Sequence, residues 1–166
     1  GGGAMPGEMI TVDWLRQQNA RKDQIALFAH LFPSGAVVSA ESLARAHAGG
    51  MDVIWLARNM NSTSAMMTVL SEDTASWIRI EVAKHRSTPL VVLTQLAEDS
   101  DIWVRGEVAR NVTTPVTTLD HLSKDGNSWV RGEVARNPST AESTLERLAE
   151  DPDPVVQRAY ASRPTP

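Results

Sequence analysis

Cysteine is absent from the 166 residues, which excludes disulfides, cysteine-ligated zinc and iron–sulfur clusters and fits a reducing compartment, with the cytoplasm as the expected location. Aromatic residues make up 5% of the chain, with a single Tyr, too few for an aromatic-rich β-sandwich. Neither sign of charge prevails: 16 basic residues face 20 acidic ones, a formal net charge of -4. Residues 1–73 carry 5 basic and 7 acidic side chains and residues 74–166 carry 11 and 13, so neither half offers a field that would attract phosphate. No apolar run approaches the roughly 18 residues of a membrane-spanning helix, and no membrane role is expected. Gly1 to Ala4, ahead of Met5, read as a cloning remnant, with residues 1–9 as a tag and lead outside the fold.

Catalytic patterns are lacking as well. His30, His47, His85 and His121 are scattered, with no two spaced i, i+4, so neither a metal site nor acid–base chemistry is expected. There is no glycine-rich phosphate loop, nucleophile elbow or zinc-binding helix motif. The expectation is therefore a non-enzymatic protein without cofactor or metal.

What the chain has is an internal repeat. Residues 101–126, DIWVRGEVARNVTTPVTTLDHLSKDG, align with 127–152, NSWVRGEVARNPSTAESTLERLAEDP, at 14 identical positions with an offset of 26 residues. Nine of these are consecutive, Trp103–Asn111 against Trp129–Asn137. Residues 75–100 and the partial copy 153–166 keep the apolar and turn positions, and self-similarity at a fixed period marks an array.

The punctuation of each unit predicts two short helices. Asp101, Asn127 and Asp153 stand where a side-chain oxygen caps the first helix, and Pro154 takes a first-turn position where no donor is lost. That helix is expected to stop at Asn111 and Asn137 in a left-handed conformation. Thr88-Pro89, Thr114-Pro115 and Thr140-Ala141 place a hydroxyl to cap the second helix, whose apolar stripe is Leu93 with Leu96, Leu119 with Leu122 and Leu145 with Leu148. Helices of about two turns are unstable alone, so neighbours must stack.

The template extends backward through Leu56-Ala57-Arg58-Asn59, a helix start at Ser62-Thr63-Ser64, and Met67 with Leu70. Before that the register fails: residues 11–32 predict two amphipathic helices carrying Trp14, Leu15, Ile25, Phe28, Leu31 and Phe32, ended by Pro33-Ser34-Gly35, and 39–48 predict another ended by Gly49-Gly50. The expected organisation is an N-terminal helical cap over 10–50 and an array over 51–166, with units at about 49–74, 75–100, 101–126 and 127–152 and a half-unit at 153–166.

The unit V-R-x-x-V-A-R-N-x-x-T-P followed by L-x-x-L-(A/S)-x-D resembles the leucine-rich repeat variant family over about residues 52–166. The resemblance implies an all-α fold, a HEAT-like right-handed α-solenoid of short helix pairs, serving as an interaction module without shared catalytic residues. A cysteine-bound iron–sulfur cluster that precedes the repeats in a family member does not carry over, because this chain has no cysteine.

Helical phase separates two faces. With Val104 at the origin, Val108, Arg105 and Ala109 fall on one side, so Arg79, Arg105 and Arg131 are expected between repeats, paired with a loop carboxylate such as Asp99 or Asp125. Trp103, Gly106, Glu107 and Arg110 fall on the other. There Trp77, Trp103 and Trp129, with Val155 in the fourth copy, predict an aromatic ladder spaced about 10 Å apart at ordinary helix packing distance. Lys84, Arg110 and Arg136 share that face with Glu81, Glu107 and Glu133, a composition typical of a binding hot spot. Gly106 and Gly132, in mid-helix, imply a close approach by a partner or by the next helix. Packing of each indole along the array explains the tryptophans equally well.

Three functions follow in order of support. The first is a scaffold that binds a protein partner through Trp77, Trp103 and Trp129. The second is nucleic-acid binding through the array or through residues 39–58, which weakly resemble a helix-turn-helix with Leu43, Ala44 and Ile54 packed inside. The third, base-handling enzyme chemistry, lacks paired carboxylates in a basic cleft. Asp99, Asp101, Asp125 and Asp151 could gather a cation, but capping explains them better.

Overall fold

Every described helix of this chain is short, and the reason lies in how often the chain is punctuated. The computed structural model describes residues 9–59 and 63–163. It is mainly α-helical with a two-stranded sheet, and it forms two compact units that divide between Glu72 and Asp73. The lead residues 1–8, Ser62 of the expected helix start and the tail 164–166 lie outside the described residues. No described helix is long and apolar enough to cross a membrane.

In the first unit, β1 (Met9–Ile10) pairs antiparallel with β2 (Ala36–Val37), Ile10 opposite Ala36, a sheet the helical patterning gave no sign of. Between them run α1 (Val12–Gln17) and α2 (Lys22–Leu31). Helices α3 (Ala40–Ala48), α4 (Val53–Asn59) and α5 (Thr63–Leu70) follow. Helix α3 opens with a Ser39/Ser42 capping box and closes at Gly50, whose φ of 87° lets Met51 N–H reach the Ala46 carbonyl and Gly50 N–H the His47 carbonyl. Met51 is thereby turned inward. Leu15, Phe28 and Phe32 are buried, while Trp14, Ile25 and Leu31 are only partly covered. Leu43 and Ile54 are internal, but Ala44 is exposed and Ala46 takes the inward place, because Ala46, three residues beyond Leu43, shares its helical face and the adjacent Ala44 does not.

In the second unit, one layer consists of α6 (Ser76–Lys84), α8 (Ile102–Arg110), α10 (Ser128–Arg136) and α12 (Pro154–Ala161), each packed on the next. Helices α7 (Leu90–Leu96), α9 (Val116–Leu122) and α11 (Glu142–Ala149) alternate with them. The starts of the first four fall 26 residues apart. Val104, Val108 and Ala109 of α8, with Leu119 and Leu122 of α9, are fully inaccessible, as are their counterparts Val130, Val134 and Ala135. Burying each such aliphatic side chain contributes about 1.5–3 kcal/mol, which two-turn helices could not obtain alone.

The helix ends differ from expectation in two respects. Asn111 and Asn137 are extended, at φ -67° and -68°, not left-handed. Their side chains explain why. Asn111 Nδ2 donates to the carbonyls of Ala83 and His85 at 2.8 and 3.1 Å, and Asn137 Nδ2 to those of Ala109 and Asn111 at 2.7 and 3.0 Å. Arg163 does the same for Ala135 and Asn137. The carbonyls of Ala83, Ala109 and Ala135, in the last turn of each first-layer helix, thereby gain a donor from the next repeat, while those of His85, Asn111 and Asn137 also accept from the N–H groups of Thr88, Thr114 and Thr140.

Likewise, the hydroxyls of Thr88, Thr114 and Thr140 cap no following helix. They donate backward to the carbonyls of Val82, Val108 and Val134 at 2.6, 2.6 and 2.7 Å, while Pro89, Pro115 and Ala141 lead into the second helices without a side-chain cap. The threonines are buried, so a hydroxyl there must find an acceptor, and the nearest is the helix just completed.

Candidate functional site

The face under test is built by the first turns of α6, α8 and α10. Asp101 accepts from Trp103 N–H at 2.8 Å and Asn127 from Trp129 N–H at 2.9 Å, which fixes where each helix begins and so where its tryptophan emerges. Asp153 does the same for Val155 at 2.8 Å.

Beneath this face, arginines lock the repeats. Arg79 Nε lies 2.7 Å from Asp99, Arg105 Nε 2.7 Å from Asp125 and Arg131 Nε 2.7 Å from Asp151, each a two-pronged pair with little exposure. The remaining nitrogens donate to the carbonyls of Asp73, Asp99 and Asp125, at the end of the preceding unit. One guanidinium therefore ties the end of its own repeat to the end of the one before. Gln157 keeps only the second link, to the Asp151 carbonyl at 2.7 Å. Burial pushes the Asp99 and Asp125 carboxyls up, but the arginine pairs and the amides of Asp101 and Asn127 outweigh it and hold both below the usual carboxylate value. The Arg131 hydrogen bond holds Asp151 low as well.

Trp103 and Trp129 stand closer than the spacing of about 10 Å that ordinary helix packing gives. Their ring centroids are 4.8 Å apart at 57°. The closeness arises because Gly106 has no Cβ: the Trp129 indole lies in the space a side chain there would fill. Gly106 and Gly132 are both buried, so neither presents a surface of its own. Trp77 and Trp103 remain 55% and 56% exposed, whereas Trp129 is half-buried.

The charges of the face are joined. Lys84 pairs with Glu81 at 2.8 Å, and Arg110 with Glu107 at 2.9 Å and with Glu133 of the next repeat at 3.0 Å. Glu133, buried, also accepts from Arg136 at 2.8 Å. Arg110 and Arg136 keep half their surface in solvent, so their cationic heads are presented while Glu133 anchors them from below. Lys84, Arg86, Glu107, Arg110, Asn111 and Val112 line a groove at the helix ends.

Other exposed apolar residues escaped the sequence reading: Leu90 and Val91 on α7, Val116 on α9, and Val112. They stand at the start of the second helices, outside the leucine stripe, and only their failure to recur as apolar in α11, which begins Glu142-Ser143, hints that the position is outward. The structural roles of Asn111, Asn137 and Thr88 were signalled only by recurrence.

Among the described residues no group of three or more acidic or histidine side chains is arranged to hold a metal ion. Asp99, Asp125 and Asp151 are each engaged by an arginine.

No curated protein and no solved structure matches the chain. A family model does: residues 129–153, from the first turn of α10 to the cap of α12, match that of the leucine rich repeat variant family.

Proposed function

We propose that the chain is a non-catalytic scaffold that binds a protein partner through the face carrying Trp77, Trp103, Arg110 and Arg136, with the cytoplasm as its compartment. The observation that carries this reading is the exposure of Trp77 and Trp103, 55% and 56%, on a helix layer whose Ile78, Val82, Val104, Val108, Val130, Val134 and Val156 are buried. Covering roughly 100 Å² of each indole would recover about 2.5 kcal/mol per residue. Half-exposed guanidinium groups beside them complete the aromatic and arginine composition that concentrates binding energy. The family match supports a repeat-built interaction module.

The test is the double substitution W77A/W103A. Both side chains lie mostly outside the core, so helicity should persist while affinity for a partner recovered by cross-linking falls at least a hundredfold, as about 2 kcal/mol or more per hot-spot residue requires. Unchanged affinity for the purified partner would discard the surface.

A nucleic-acid reading has one structural support: α3 and α4 are joined by the short turn Gly49–Asp52. Arg58 is the one basic residue of α4, and Asp52 caps its first turn, so a phosphate would meet a carboxylate there. Duplex binding that weakens steeply with salt would revive this reading, and none at low salt removes it.

A further inference from the structure

The groove between α6 and α8 lacks both of the devices that close the one between α8 and α10. Over α8, the Trp129 indole settles into the space above Gly106. The counterpart of Gly106 on α6 is Ile80, whose side chain denies Trp103 that position, and Trp103 stays 56% exposed. Arg110 crosses to Glu133 of the next helix at 3.0 Å, whereas its counterpart Lys84 pairs with Glu81 of its own helix and with no carboxylate of α8 among the described residues. What remains is an open space of about 260 Å³ at the ends of the two helices, lined by Lys84, Arg86, Glu107, Arg110, Asn111 and Val112. Its cations stand outermost. Lys84 and Arg110 keep 48% and 55% of their side-chain surface in solvent, while Glu107 keeps 14%. Arg86 is exposed and has no carboxylate partner among the described residues. The next two repeats carry Val112 and Pro138 at its position, so they do not repeat this third cation.

We propose that this groove receives the carboxylates of an acidic stretch in the protein partner, held by Lys84, Arg86 and Arg110. The inference rests on the scaffold reading above and names the chemistry of what is bound. Size selects the class of occupant. Small-molecule sites run to roughly 300–1,000 Å³ and enclose their ligand, whereas this space is smaller and open, fit for side chains of a polypeptide lying across it. Charge selects the group, because an incoming carboxylate meets three cations before it meets Glu107. Glu133 and Glu107 take Nε and Nη1 of Arg110, which leaves Nη2 without an acceptor among the described residues and holds the guanidinium ready to donate it. Arg110 follows Trp103 by seven residues on one face of α8, about 10 Å along the helix. The stretch that fills the groove therefore continues onto the exposed indole. A nucleic-acid backbone is a poorer occupant, since its run of phosphates would also pass Glu81 and Glu107 on the same face.

The probe is a fluorescein-labelled peptide, Gly-Ser-Glu-Glu-Glu-Ser-Gly, titrated with the full chain at about 20 mM salt, where screening is weak, and read by fluorescence anisotropy. Binding should weaken at least tenfold when the three Glu become Gln. R86E reverses the charge at an exposed position and should also weaken binding at least tenfold, with an unchanged far-UV circular dichroism spectrum. R86K keeps the charge and should stay within about threefold of the parent chain. No binding at about 1 mM protein, equal affinity for the Gln peptide, or equal affinity of R86E overturns the proposal. So does tighter binding of a single-stranded oligonucleotide that R86E abolishes, which would make phosphate the occupant. If W77A/W103A loses the cross-linked partner while R86E keeps it, the tryptophan surface stands and the acidic groove falls; the reverse pattern discards the tryptophan surface and retains the groove.

Discussion

The indole of Trp129 occupies the space that a side chain on Gly106 would need, although the two residues belong to successive repeats. A Cβ on Gly132, inside an identical nine-residue segment, would meet its nearest neighbour outside its own backbone, Ala159 Cβ, at 3.6 Å. The contrast depends on the next helix, which brings the Trp129 indole to the first glycine and only the Ala159 methyl to the second.

Alanine at these two glycines should act with opposite sign. Gly106→Ala must displace a ring held against Trp103, an overpacking loss of about 1–3 kcal/mol. Gly132→Ala meets ordinary contacts in a helix of normal backbone and should gain up to about 1 kcal/mol. Urea unfolding of the two variants measures both, and effects of the same sign would refute the assignment.

Removing the ring should remove the penalty. In a Trp129→Ala background the cost of Gly106→Ala should vanish, a coupling of about 1–3 kcal/mol in a double-mutant cycle. Additive effects would mean the two side chains do not compete for one space.

Asn137→Ala should destabilise the array by about 1–3 kcal/mol, because the Ala109 carbonyl loses its donor inside the protein and the Asn111 carbonyl keeps only the Thr114 N–H. Asn137→Asp should cost more, since a carboxylate offers those carbonyls nothing but repulsion. Equal stability of wild type and Asn137→Ala in urea would show that water serves as well.

Acid should loosen the second unit through its arginine pairs. Asp99, Asp125 and Asp151 have folded-state values below the ordinary 3.8, so they favour folding above the unfolded value and lose that contribution as pH falls through the folded ones. Stability should therefore decline below about pH 4. Asp151→Asn should cost about 1.5–3 kcal/mol at neutral pH and flatten that decline. A stability profile flat to pH 2.5 or so would contradict the linkage.

The helical class and the spacing of the units were legible because they rest on interactions within a few residues. Asp101 and Asn127 cap in place, and the Leu119 and Leu122 stripe is buried, since a cap or an i, i+3 stripe needs only its own turn of chain. The asparagines and threonines misled because their side chains serve backbone that is distant in sequence, or behind rather than ahead. The spacing of 26 or 28 residues between Asn137 Nδ2 and its acceptors is a stacking distance, invisible within one unit.

Sequence alone determined that this chain is helical, repeated and free of cysteine chemistry, because local propensity, capping and composition need no neighbour. Tertiary structure decided which of two identical segments is covered. The residues of a repeat acquire their surroundings from the repeat stacked on them, so Gly106 lies under an indole and Gly132 against a methyl for reasons encoded in the next helix, at Trp129 and Ala159.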